Sequence, residues 1–135
     1  MSLEDDIQER LVADAESIMQ ENLDRVEQLF QFYNDGTIGI KEEYRDVDPE
    51  NQILIYLIAQ RFAKEGNIDD EDGLTTEFFY ERFDRSDRTI RDYLQSLREE
   101  GLVTKEGQSK HRIIVENLPD ALDRIENATE SDGNS

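Results

Sequence analysis

Cysteine is absent from this chain, and histidine occurs once, at His111. Without thiols there are no disulfides, no thiolate nucleophile and no zinc site built on Cys and His. One imidazole is also too few to assemble a nucleophile, a base and an orienting group. The sequence therefore points away from an enzyme, with no catalytic set, no metal site and no cofactor expected. Long apolar runs are missing too. The most hydrophobic stretch, ILIYLIA at 53–59, is far too short to span a bilayer. The first ten residues, MSLEDDIQER, are acidic from the fourth onward and lack the basic start and apolar run of a secretory leader. The expectation is a cytoplasmic protein with no membrane partner.

Lysine is scarce. Of fifteen basic residues only Lys41, Lys64, Lys105 and Lys110 are lysines, against 34 Asp and Glu, for a net charge of -19. A disordered acidic chain would share that balance, but the aromatic and branched runs between residues 53 and 83 argue for a packed core. A carboxylate-rich, lysine-poor composition resembles that of extreme halophiles, whose cytoplasm holds molar salt. At about 1 M salt the screening length falls to about 3 Å. Net charge then no longer forbids contact with nucleic acid, and only close contacts count.

A length of 135 residues suits one domain with room for an extra helix or a tail. No Gly or Pro interrupts residues 3–33, where Leu3, Ile7, Leu11, Ala15, Ile18, Val26, Leu29 and Tyr33 recur at steps of three and four. That spacing predicts a long amphipathic helix. Asn22 falls on the same stripe, where a polar residue in a helix seam fixes register. The helix either lies on its own domain or pairs with a second copy, and Leu3, Ile7, Leu11, Ile18, Asn22, Val26 and Leu29 are the candidate dimerisation residues. Asn34, Asp35 and Gly36 form a turn signal. With Phe30 and Phe32 before it and Ile38 and Ile40 after it, a short hairpin is expected, and the first helix then ends nearer Glu27 than Tyr33.

Asp48 as N-cap and Pro49 at the first helical position open a helix that closes at Gly66. Because 53–59 is apolar all round, this helix is the expected centre of the core. The acidic loop NIDDEDG lacks the Asp and Glu that a calcium loop needs where Ile68 and Phe79 stand. A short helix, TTEFFYERF, follows with Thr75 or Thr76 as cap, then a helix at 87–100 capped by Ser86 or Asp87 and ended by Gly101. Two strand-like runs, LVTKE and KHRIIV, are joined by GQS. A last helix is expected at 119–128, with a frayed tail at 129–135.

The run LTTEFFYERFDRSDRTIRDYLQSLREEGLV followed by TKEGQSKHRIIV resembles a winged helix-turn-helix domain. The resemblance covers about residues 49–115 and the last helix, and it identifies a superfamily, with no closer family claimed for residues 1–48. It implies a mainly α fold with a small β-hairpin wing, to which the periodicity of residues 3–33 adds the long N-terminal helix. The domain would span 49–128, with residues 1–48 as an N-terminal amphipathic helix and short hairpin that are a candidate dimerisation element. The resemblance also implies a supporting helix in TTEFFYERF, a recognition helix at 87–100 and a wing at 104–112.

A helical wheel places Ile90, Tyr93, Leu94 and Leu97 on one side and Arg88, Arg91, Asp92, Gln95 and Arg98 on the other. Residues 85–112 hold seven basic and five acidic residues, a balance of +2, so the other 107 residues carry -21. Positive charge thus gathers where a winged helix would meet a duplex. Arginine suits that role because its planar fork pairs bidentately with guanine or phosphate. The expected contacts are Arg88, Thr89, Arg91 and Gln95 on the helix, Arg85 and Ser86 before it, and Lys105, Ser109, Lys110, His111 and Arg112 on the wing. Two functions follow: a DNA-binding transcriptional regulator acting as a homodimer on double-stranded DNA, or a winged-helix module that docks a protein partner within a larger assembly. The bland alternative for the same bases is a solvated face, with Arg88 paired to Asp92.

Overall fold

Ile53, Leu54, Ile55, Leu57, Ile58 and Ala59 are all 0% exposed, which makes the helix carrying them, α4 (Pro49–Glu65), the axis of the molecule. The structure, a computed structural model, describes residues 2–11 and 14–133. Among the described residues it is mainly helical with two small antiparallel β-sheets. Among the described residues no helix is long and apolar enough to cross a membrane.

The N-terminal segment departs from the expected long helix. It forms three short ones: α1 (Leu3–Arg10), α2 (Ala15–Glu21) and α3 (Leu23–Glu27). Polar side chains that bond nearby backbone make the breaks. The Asp14 carboxylate accepts from Ser17 N and Ser17 Oγ, both at 2.9 Å, and so starts a new helix. Asn22 leaves helical geometry at φ -106° and ψ 8°, while its Nδ2 donates back to Ile18 O at 2.8 Å. Asn22 is thus a break between α2 and α3, not a register-setting residue within one helix. The apolar stripe divides accordingly. Met19, Val26 and Leu29 enter the core of their own chain, whereas Leu3 and Leu11 remain 74% and 77% exposed.

The hairpin at the turn signal forms as expected. Strand β1 (Phe30–Phe32) pairs with β2 (Ile38–Ile40). Gly36 takes φ +87°, and the Asp35 carboxylate accepts from both Thr37 N and Thr37 Oγ1. Phe30, Ile40, Tyr44 and Val47 belong to the same hydrophobic cluster as α4, so residue 48 does not divide the core.

After α4 the chain forms β3 (Leu74–Thr75), α5 (Thr76–Arg82), α6 (Asp87–Glu99), β4 (Val103–Glu106), β5 (Lys110–Ile113) and α7 (Leu118–Gly133). The three strands pair antiparallel in the order β3-β5-β4. Thr75 Oγ1 caps α5 by accepting from Phe78 N, and Ser86 Oγ caps α6 by accepting from Thr89 N. At the end of α6, Gly101 sits at φ +77°. Leu102 N donates to Leu97 O and Gly101 N to Arg98 O, the paired bonds of a Schellman cap. The chain therefore turns sharply into β4.

Strand β3 was not expected from sequence. Its two residues offer no alternation, and its place depends on Gly73, where a Cβ would stand 2.3 Å from His111 O. Helix α7 passes residue 128, where the sequence reading stops it, and runs to Gly133. Of the expected tail, residues 134 and 135 lie outside the described residues. Arg124 on α7 donates to Glu100 Oε1 at 3.0 Å, Glu50 Oε2 at 2.9 Å and Asn51 Oδ1, joining the start of α4 to the end of α6. Arg25 joins α3 to α7 through Asp123 and Glu126.

Candidate functional site

Helix α6 turns Ile90, Leu94 and Leu97 into the core, and leaves Arg88, Arg91, Asp92 and Gln95 exposed with Arg98 half-buried. The division follows the helical wheel. Facing this helix is one side of the β4–β5 hairpin, and register decides which residues lie there. Lys105 pairs with His111, whereas Thr104 pairs with Arg112 and Glu106 with Lys110. Alternation across a strand then puts Lys105 and His111 on one face and Lys110 and Arg112 on the other.

The outer side of α6, the start of α5 and the Lys105 face of the hairpin enclose an open groove of about 670 Å³. Four cations line it: Arg88, Arg91, Arg98 and Lys105. Glu77 and Asp92 are its two carboxylates, and Thr75, Thr76, Gln95, Gln108 and Ser109 add neutral polar groups. Among the described residues none of the four cations forms an ion pair. Arg91 Nη1 donates to Tyr80 Oη at 3.3 Å, and Arg88 forms no pair with Asp92.

The opposite face of the hairpin is electrostatically closed. Lys110 Nζ lies 2.7 Å from Glu71 Oε2 and 3.1 Å from Asp72 Oδ1, while Arg112 Nη1 lies 3.5 Å from Asp72 Oδ2 and 4.0 Å from Glu106 Oε2. Burial pushes the Asp72 carboxyl up, but Lys110 and Arg112 outweigh it and hold the group below its usual range. The bonds from Glu71 and Asp72 in turn raise the Lys110 ammonium. The acidic loop before β3 thus pairs with these two cations, which were expected as wing contacts and lie outside the groove.

His111 also departs from expectation. It is 2% exposed, its Nε2 lies 2.8 Å from Thr76 Oγ1, and its Nδ1 is buried without a partner. Burial, then the charges of Arg98 and Lys105, push its pKa down to about 4. The unfolded chain takes up a proton near pH 6.5 and the folded chain does not, so the stabilisation is complete above about pH 6.5 and fades towards pH 4. Acidification from pH 7 to pH 5 is expected to cost about 2 kcal/mol through this residue. Urea unfolding at both pH values, with His111→Leu as the comparison, measures it. An equal loss in the variant would assign the effect to other groups.

Of the remaining expected contacts, Arg85 bonds the carbonyl of Asp84 and does not line the groove. Ser86 and Thr89 bond each other at 2.8 Å while Ser86 caps the helix, so these hydroxyls serve the helix start. Gln95 lines the groove and donates to Glu99. The sequence reading omitted Arg98 from the site, although its seven-residue spacing from Arg91 places both on one helix face. It also omitted Thr75, Thr76, Tyr80 and Gln108. Thr76 carries no sequence signal because its position depends on the pairing of β3 with β5. Comparison of the chain with known protein families, curated proteins and solved structures finds no match.

Proposed function

We propose that residues 49–128 form a winged helix-turn-helix domain that binds duplex DNA, and that the protein is a transcriptional regulator working as a homodimer in a high-salt cytoplasm. Helices α5 and α6 are the helix pair and β4–β5 is the wing. The observation that carries the reading is the convergence on one groove of four cations that form no ion pair among the described residues in a chain of net charge -19. In such docking the first turns of the second helix enter the major groove. Arg88 and Arg91 stand there and meet base edges or the nearest phosphates, while Arg98 and Lys105 lie deeper, against the backbone. In molar salt distant charges are screened to about 3 Å, so direct contacts decide binding. Titration of labelled duplexes with the protein in molar KCl tests this. Saturable, sequence-dependent binding is expected, and indifference to every duplex tried, genomic fragments included, would reject it.

The dimer rests on a smaller surface than the sequence suggests. Val26 and Leu29 are spent in the core, which leaves Leu3, Ile7 and Leu11 of the α1 stripe, with Leu23, exposed. A second copy is the occupant of that surface. Light scattering in molar KCl is expected to return twice the chain mass of 15.8 kDa, and a monomer mass would remove the dimer. One observation favours the protein-docking alternative: Lys110 and Arg112 are neutralised within the chain, so this wing has fewer cations for a backbone than its sequence promises. Failure to bind DNA together with co-purification of a defined protein through the α6 face would select that alternative.

A further inference from the structure

Within the groove, the residues are not equivalent. Arg88 and Arg91 stand on exposed turns of α6, whereas Arg98 is half-buried and shares the groove lining with Lys105, which pairs opposite His111 across the hairpin. Around that inner end lie two hydroxyl residues, Thr76 and Ser109. The Thr76 hydroxyl lies 3.2 Å from Ser109 O and 2.8 Å from His111 Nε2, which ties both residues to this end of the groove. His111 Nδ1 is buried without a partner, and among the described residues neither Arg98 nor Lys105 enters an ion pair. In a chain with more than twice as many acidic as basic side chains, two cations lining one groove and held by no carboxylate among the described residues are a vacancy for an anion. The neighbouring face of the same hairpin shows the contrast, since its two cations are held by Glu71 and Asp72.

We propose that this inner end of the groove, formed by Arg98, Lys105, Thr76 and Ser109 over the His111 ring, is a seat for one phosphate-class oxyanion. It deepens the DNA reading and rests on it in one respect: the duplex backbone is the source of the phosphate. A tetrahedral oxyanion accepts charge-assisted hydrogen bonds from the arginine fork and the ammonium. The Ser109 hydroxyl, which forms no hydrogen bond among the described residues, adds a third donor, and the seat lies on the side of the wing opposite the acidic loop. The backbone strand would then pass between α6 and the hairpin, and Lys110 and Arg112 would stay with their own carboxylates.

Because the chain has a single histidine, the Cε1–H resonance of His111 reports on the seat without ambiguity. The experiment follows it by NMR at pH 7 in KCl as sulfate, and separately a short duplex, is added. Sulfate is expected to move the signal saturably. Lys105→Gln and Arg98→Gln are expected to weaken that response at least tenfold, while Lys110→Gln leaves it unchanged, with unaltered melting of each variant as the folding control. Displacement of sulfate by the duplex assigns the natural phosphate to the nucleic-acid backbone. A sulfate response that the duplex does not compete for keeps the seat but makes it a small-anion site, and counts against the DNA reading. Duplex binding seen by anisotropy with His111 unmoved overturns the seat and leaves the DNA reading standing, and silence towards both additions overturns both.

Discussion

Replacing Arg88 and Arg91 together by alanine is expected to lower affinity for duplex DNA in molar KCl by about a hundredfold and to leave folding intact. Both side chains are exposed on the first turns of α6 and line the groove, and neither belongs to the hydrophobic core. An arginine that contacts a base edge or phosphate is worth about 1–3 kcal/mol, and two modest contributions of that kind make a factor of about a hundred. The fold is insulated because Ser86 caps the helix and Ile90, Leu94 and Leu97 anchor it. Lys110→Ala with Arg112→Ala is the informative comparison. Those cations already satisfy Glu71 and Asp72, and their loss is expected to change affinity by less than about threefold, the scale of an exposed ion pair. Equal losses in the two double variants, measured by fluorescence anisotropy, would show that net charge and not the groove controls binding.

Arg124→Ala is expected to destabilise the fold by about 3 kcal/mol, lowering the melting temperature by roughly 10 °C. Its side chain is 22% exposed and bridges Glu50, itself 18% exposed, to Glu100. Burial works against its charge, but Glu100 and Glu50 outweigh that and raise its pKa. Removing the guanidinium leaves Glu50 partly buried with no counter-ion, a change that costs more than the pair itself contributes. Asn51 Oδ1 loses its donor as well, while Asn51 Nδ2 keeps its bond to Asp48. Since the three anchors belong to α4, the end of α6 and α7, the loss loosens the base of the helix that carries the groove. Differential scanning calorimetry in molar KCl decides the matter; a shift of only a degree or two would mean that solvent already screens the network.

Much of the architecture was legible because local chemistry sets it. Ser86, Thr75 and Gly101 each mark a helix boundary by a hydrogen bond or a backbone angle that few other residues supply. The Asn34-Asp35-Gly36 turn fixed the first hairpin in the same way. Periodicity misled in residues 3–33, since spacing alone does not show that Asp14 and Asn22 bond the local backbone and interrupt the helix. In the candidate site, α6 was legible from its wheel, but the hairpin was not. Proximity in sequence groups Lys105, Lys110, His111 and Arg112 together. Strand alternation separates them onto two faces, and Gly73 brings a distant acidic loop against one of those faces. His111 is buried by the same event, as Leu74 of β3 pairs opposite it.

The side-chain Nε–Hε resonances of the arginines distinguish the two faces in one titration. When duplex DNA is added to the labelled protein in molar KCl, Arg88, Arg91 and Arg98 are expected to shift together, while Arg112, held by Asp72, and Arg25, held by Glu126, stay in place. Movement at Arg112 with the three groove arginines unchanged would contradict the account.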